Sequence, residues 1–142
     1  MRLSEVLESK PGGVVTVKSG VTVLEAIQLM CEKKVGSVMV VAENGDLQGI
    51  LTERDVLRFC AVRNGDITGT GIHEAMTSDL VIATPDTGVE EAMTMMTNHR
   101  FRHLPVLDSG KPATLVSIGD LVKAQLKDMT VEVKYLRDYI NT

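Results

Sequence analysis

The sequence has no tryptophan and only two phenylalanines and two tyrosines, so it lacks the aromatic platforms on which single-stranded bases stack. It also lacks a surplus of positive charge. Fifteen basic against nineteen acidic residues give a formal net charge of −4, which leaves no phosphate-backbone surface and excludes nucleic acid as a main partner. No apolar run approaches the ~18 residues that span a bilayer, and Met1-Arg2-Leu3-Ser4-Glu5 lacks the apolar region of a secretory signal. The expectation is a soluble cytoplasmic protein with no membrane association, or the mature form of an organellar protein whose targeting segment has been removed. Cysteine is scarce: Cys31 and Cys60 fall on helix-like segments at a spacing that fits neither a redox pair nor a zinc site, and both read as reduced packing residues. With no Pro-rich or Ser-rich stretch there is no linker, so the chain predicts one compact unit or two halves sharing a core.

What the chain does contain is a repeat. Sliding it along itself by about 66 residues lays Glu25-Ala26 on Glu91-Ala92, Val23 on Val89, Met30 on Met96 and Val40 on Val106. Val23, Ala26, Ile27 and Met30 have the spacing of one buried helix stripe, and Val89, Ala92, Met93 and Met96 repeat it. This places Met93 and Met96 in the core rather than on a plastic binding surface. Thr22 with Glu25, and Thr87 with Glu90, predict a capping box at each helix start.

Met39–Ala42 and Leu104–Leu107 then read as buried strands, and Asn44-Gly45 and Ser109-Gly110 as tight turns. Return strands at Leu47–Leu51 and Ala113–Val116 lead into helices at Glu53–Val62 and Ile118–Leu126. With short strands at Val14–Val17 and Val81–Ala83, each copy reads β-α-β-β-α. A sheet with helices on one face cannot bury both helix stripes alone, so the fold class is α/β (α+β): two pseudo-twofold-related repeats packed into one module. The boundaries are 1–70 for the first repeat with a short N-terminal helix at Leu3–Glu8, 71–127 for the second with a short helix around His73–Met76, and 128–142 for a C-terminal helix. On that last helix Val131, Tyr135, Leu136, Tyr139 and Ile140 form an apolar stripe, either a cap on the core or part of a homodimer interface.

Chemistry concentrates where each return strand meets its helix. Thr52-Glu53-Arg54-Asp55 and Ser117-Ile118-Gly119-Asp120 both place a hydroxyl three residues before a carboxylate. One such match is a variant capping box that any helix carries; two at the same place in a repeat suggest equivalent pockets facing one another. A carboxylate accepts hydrogen bonds from both ribose hydroxyls, and helix-start N–H groups favour phosphate, so capping and nucleotide binding are compatible. The run Arg100-Phe101-Arg102-His103-Leu104-Pro105-Val106 enters the second copy's central strand, and its guanidiniums and imidazole, with Arg54, are either a phosphate site or a solvated basic turn. His99 and His103 have the spacing of a helical metal pair, but Leu104-Pro105 ends the helix between them, and no metal site is expected.

These segments, Gly-Ile-Leu-Thr-Glu-Arg-Asp at 49–55, Arg-His-Leu-Pro-Val at 102–106 and Val-Ser-Ile-Gly-Asp at 116–120, resemble tandem CBS domains. Over nearly its whole length the chain is most similar to stand-alone single-pair CBS proteins of bacteria and plant organelles. The resemblance implies one disk-like module with two clefts, a homodimer, and a bound adenosine-containing ligand: AMP first, then NAD(H), ADP or ATP, or S-adenosylmethionine. It further implies that Thr52 and Asp55 hold ribose in one cleft and Ser117 and Asp120 in the other. The adenine would lie beside Thr16 or Ile82 and against Val35-Gly36-Ser37 or Phe101-Arg102-His103, with phosphates directed to Arg102 and His103 at the centre. Because Gly36 and Ser37 stand where the second copy has Arg102 and His103, the two sites are expected to be unequal.

The function expected is a regulatory sensor module with no catalytic activity or catalytic cofactor, acting in trans on an unknown regulated protein. The alternative is a ligand-free dimerisation or scaffold domain. An enzyme finds no support, since there is no Walker loop, metal-ligand cluster or nucleophile–base pair at recognisable spacing.

Overall fold

The two apolar stripes fold as helices α2 (Val23–Lys33) and α4 (Val89–His99), burying Val23, Ala26 and Met30 in one and Val89, Ala92 and Met96 in the other. Both helices end alike. Lys34 and Arg100 take up the left-handed conformation, φ 56° and 58°, and their N–H groups close the last turn on carbonyls of the preceding helix. They begin differently. Thr22 caps α2 by accepting the Glu25 N–H at 3.1 Å, although the Glu25 carboxylate takes the Thr22 hydroxyl instead of completing the box. Thr87 does not cap α4: the cap position is Gly88, which offers no side chain, and the Thr87 hydroxyl accepts the Thr84 N–H. The first helical donor is met alike in both, the Val89 N–H donating to the Met1 carbonyl and the Val23 N–H to that of Thr70.

The computed structural model describes residues 1–9 and 14–141. In the first repeat β1 (Thr16–Lys18), β2 (Ser37–Val41) and β3 (Leu47–Thr52) form a sheet in that order, β1 parallel and β3 antiparallel to β2. In the second, β4 (His103–Asp108) and β5 (Lys111–Ser117) form an antiparallel hairpin. Its turn is two residues long, and Ser109 and Gly110 both have positive φ, the geometry that keeps hairpin strands aligned with their twist. The strand expected at Val81–Ala83 contracts to one parallel bridge, Ala83 to Val106, held by bonds to the Pro105 carbonyl and the Leu107 N–H. β3 runs directly into α3 (Glu53–Val62) and β5 into α5 (Ile118–Ile140).

Two sequence expectations are corrected along α5. No glycine or proline follows Gly119 before its end, so the helix expected to stop at Leu126 and the separate C-terminal helix are one 23-residue element, with Thr142 outside the described residues. The terminal stripe does not cap the core either, because Val131, Tyr135, Leu136, Tyr139 and Ile140 are all exposed. Among the described residues no helix is long and apolar enough to cross a membrane.

Packing is crosswise. α1 (Leu3–Ser9) buries Leu3 and Val6 in the core of the second repeat, with Ala83, Met96, Leu104 and Leu121. The short 3-10 turn Ile72–Glu74 instead buries Ile72 in the core of the first, with Ala26, Met30, Val40 and Leu51. Each repeat is thus completed by the segment that precedes the other. A third, smaller cluster joins them: Met39 and Ile50 of the first repeat meet Leu115 of the second. The hairpin ends touch as well, where the Lys111 ammonium donates to the Asn44 carbonyl at 3.2 Å. Cys31 departs from expectation; it is exposed rather than a packing residue, while Cys60 is half-buried.

Candidate functional site

Both hydroxyl–carboxylate signatures form complete capping boxes. At α3 the Thr52 hydroxyl accepts the Asp55 N–H at 3.3 Å and Asp55 Oδ2 accepts the Thr52 N–H at 3.0 Å; at α5 the Ser117 and Asp120 pair repeats this at 3.1 and 2.9 Å. The next donor in each helix is satisfied in the same symmetrical way, Glu53 N–H to the Gly36 carbonyl and Ile118 N–H to that of Arg102. Strand register sets Ser37 opposite Thr52 and His103 opposite Ser117. The repeat therefore builds two equivalent corners, each a helix start with its carboxylate locked by the cap and flanked by the residue that enters the facing strand.

The two corners open into one continuous cleft of about 680 Å³. Its floor includes Ile50 and Leu115, residues of the small cluster that joins the repeats. Gly36, Ser37, Thr52, Arg54 and Asp55 line it from the first repeat, and Arg100, Phe101, Arg102, His103, Ser117 and Asp120 from the second. Of the expected residues, Val35 lines a contiguous annex of about 230 Å³ that shares Gly36, Ser37 and Leu115 with the cleft. Three others lie outside both. Thr16 is exposed on β1, and its neighbours Val14 and Val15 line the annex in its place; Ile82 is exposed; Pro105 is buried in β4 with its carbonyl bound to Ala83.

The cleft also recruits residues that the sequence did not single out: Ile50, Glu53, Arg58, Thr77 and Leu115. Arg58 was legible in principle, being one helical turn beyond Arg54 on α3. Ile50 and Leu115 occupy matching places in the repeat, two residues before each cap hydroxyl. Thr77 carried no signal. It arrives through a backbone bridge with Ile50, at 2.9 and 2.8 Å, that brings its hydroxyl to Asp55 Oδ1 at 3.1 Å.

Electrostatically the cleft differs from the rest of the molecule. Arg54, Arg58, Arg100 and Arg102 line it, four of the chain's seven arginines, whereas no described lysine does. Guanidinium forks match phosphate and carboxylate oxygens in a way that ammonium groups do not. Glu53, Asp55 and Asp120 supply the acceptors. A cleft with converging arginines, two carboxylates fixed at helix starts and an apolar floor suits a ligand with an anionic end, vicinal hydroxyls and a flat apolar part, and its size is that of a small-molecule site. Among the described residues no group of acidic, histidine and cysteine side chains is arranged to hold a metal ion. His99 and Phe101 instead stack, with ring centres 5.9 Å apart.

Comparison with known proteins agrees with this geometry. The family model for the CBS domain matches twice, over residues 4–62 and 72–127. The chain is 36% identical to the mitochondrial CBS domain-containing protein CBSX3 of Arabidopsis thaliana, over 97% of this chain and 71% of that one. Among solved structures it is similar to a protein with CBS domains from Burkholderia ambifaria, with 40% identity, a TM-score of 0.80 and coverage of 90% and 96% of the two chains. It is also similar to CBSX2 in complex with AMP, with 28% identity, a TM-score of 0.66 and coverage of 82% and 90%.

Proposed function

The chain belongs to the CBS-domain family, as a pair of CBS repeats and hence a regulatory module rather than an enzyme, and on that premise we propose that it is a sensor whose central cleft binds an adenosine-containing nucleotide. One observation carries the reading: both hydroxyl–carboxylate corners and four arginines converge on a cleft whose floor is the contact between the repeats. The ribose hydroxyls donate to Asp55 or Asp120, the base occupies the apolar annex beside Val14, Val15 and Val35, and the phosphate meets Arg54, Arg58, Arg100 and Arg102. AMP is the first candidate, supported by its presence in the related CBSX2 structure; NAD(H), ADP, ATP and S-adenosylmethionine share the adenosine portion.

Occupancy of this cleft bears on the seam between the repeats, so a ligand that prefers one packing of Ile50 against Leu115 shifts the population of that packing. A protein partner reads the shift in trans, and the module works as a homodimer. The test is a thermal-shift screen against AMP, ADP, ATP, NAD, NADH and S-adenosylmethionine, with Asp55→Asn and Asp120→Asn alongside. A ligand at about 100 times its dissociation constant adds ~2.7 kcal/mol of stability. Stabilisation by at least one nucleotide, weakened in one or both variants, is the expected result. Absence of any shift refutes the sensor reading and favours a scaffold whose capping boxes serve only as caps.

A further inference from the structure

Beyond Gln125, α5 leaves the core: every residue from Leu126 to Ile140 is exposed. A free helix of about 15 residues is marginal in water, so an apolar face on it calls for a partner. That face has a regular period. Val122, Leu126, Met129, Val133, Leu136 and Ile140 follow one another at alternating intervals of four and three residues, the heptad spacing of a coiled-coil seam, and each is between 40% and 78% exposed. Leu126, Val133 and Ile140 fall at a positions and Val122, Met129 and Leu136 at d. β-branched side chains at a with leucine at d, as in Val133, Leu136 and Ile140 at the end of the helix, favour two parallel strands. Of the stripe read from the sequence, Leu136 and Ile140 are seam residues and Tyr139 falls at a flanking g position, while Val131 and Tyr135 fall at f and c, away from the seam.

The flanks choose the partner. Glu132 lies at a g position and Arg137 at the following e position, the pair that meets across a parallel two-stranded coil of identical helices. Within one chain the two are five residues apart and do not face each other, and no intrachain ion pair among the described residues engages either. In a symmetric parallel dimer Glu132 meets the second copy's arginine, and Arg137 meets its glutamate. Antiparallel pairing would bring Lys123 towards the opposing Arg137.

We propose that α5 from Val122 onward pairs with the same segment of a second copy as a parallel, in-register coiled coil along Val122, Leu126, Met129, Val133, Leu136 and Ile140, flanked by reciprocal Glu132–Arg137 ion pairs. This rests on the pairing of copies stated above and is independent of the nucleotide. The experiment is sedimentation equilibrium on Glu132→Lys and Arg137→Glu, separately and as an equimolar mixture, with circular dichroism to confirm that both fold. Each reversal puts like charges across its own homodimer and weakens pairing by about tenfold, while the mixture forms a heterodimer in which every cross-pair is complementary again. Variants that dimerise like the wild type overturn the seam while leaving pairing intact; a wild type that is monomeric at every concentration overturns both. Oxidation of Leu136→Cys in a Cys31→Ser/Cys60→Ser background gives a second readout. Parallel register cross-links it efficiently, and a chain that stays uncross-linked while dimeric contradicts that register.

Discussion

Arg100 carries two burdens at once. It lines the cleft, and its backbone, at φ 58°, closes α4 in a conformation that glycine adopts freely and other residues do not. Arg100→Gly should therefore leave stability unchanged or raise it by up to about 1 kcal/mol, read as a shift in the urea midpoint, while AMP affinity falls. A matched loss of both would mean that the side chain serves the fold alone. Thr77 is the converse. Its hydroxyl occupies Asp55 Oδ1, the oxygen that the cap leaves available, so a ribose at that corner shares the carboxylate with it or displaces it. Thr77→Val should cost about 1 kcal/mol of stability by removing that bond, and should change affinity only for a ligand whose ribose sits at Asp55. Nothing in the sequence pointed to Thr77, because its role comes from a backbone bridge to Ile50 that no local pattern encodes.

The elements show why the rest was legible to differing degrees. Helices α2 and α4 and the hairpin turns were readable because their periodicity and positive-φ residues are local properties. So were the caps of α3 and α5, since a hydroxyl three residues before a carboxylate builds the same box in any context. The start of α4 was misread because the Thr87 hydroxyl turns back to the Thr84 N–H and the cap falls on Gly88, while the Val89 N–H reaches the Met1 carbonyl across most of the chain. The crosswise seating of α1 and of the Ile72 turn was hidden for the same reason. Gly49 marks a further long-range constraint within β3: a Cβ there would lie 2.8 Å from Met76 Sδ and 2.9 Å from the Thr77 carbonyl oxygen. Gly49→Ala should thus cost about 1–3 kcal/mol and loosen the strand that carries Thr52 to the cleft, measurable as a lower melting temperature with weakened ligand binding.

At the scale of the whole molecule, the cleft and the joint between the repeats are one structure. Leu115 is 8% exposed, belongs to the cluster with Met39 and Ile50, and lines the cleft floor. Leu115→Ala should cost about 2–5 kcal/mol, and chemical denaturation should show whether the halves then unfold separately. The same coupling makes nucleotide binding the central claim, and a calorimetric titration of AMP, with adenosine alongside, tests it most directly. With four arginines lining the cleft, one charge-assisted bond to phosphate is worth at least about 1.5 kcal/mol, so AMP should bind at least about tenfold more tightly than adenosine. Equal affinity for the two, or binding of neither, would contradict the account.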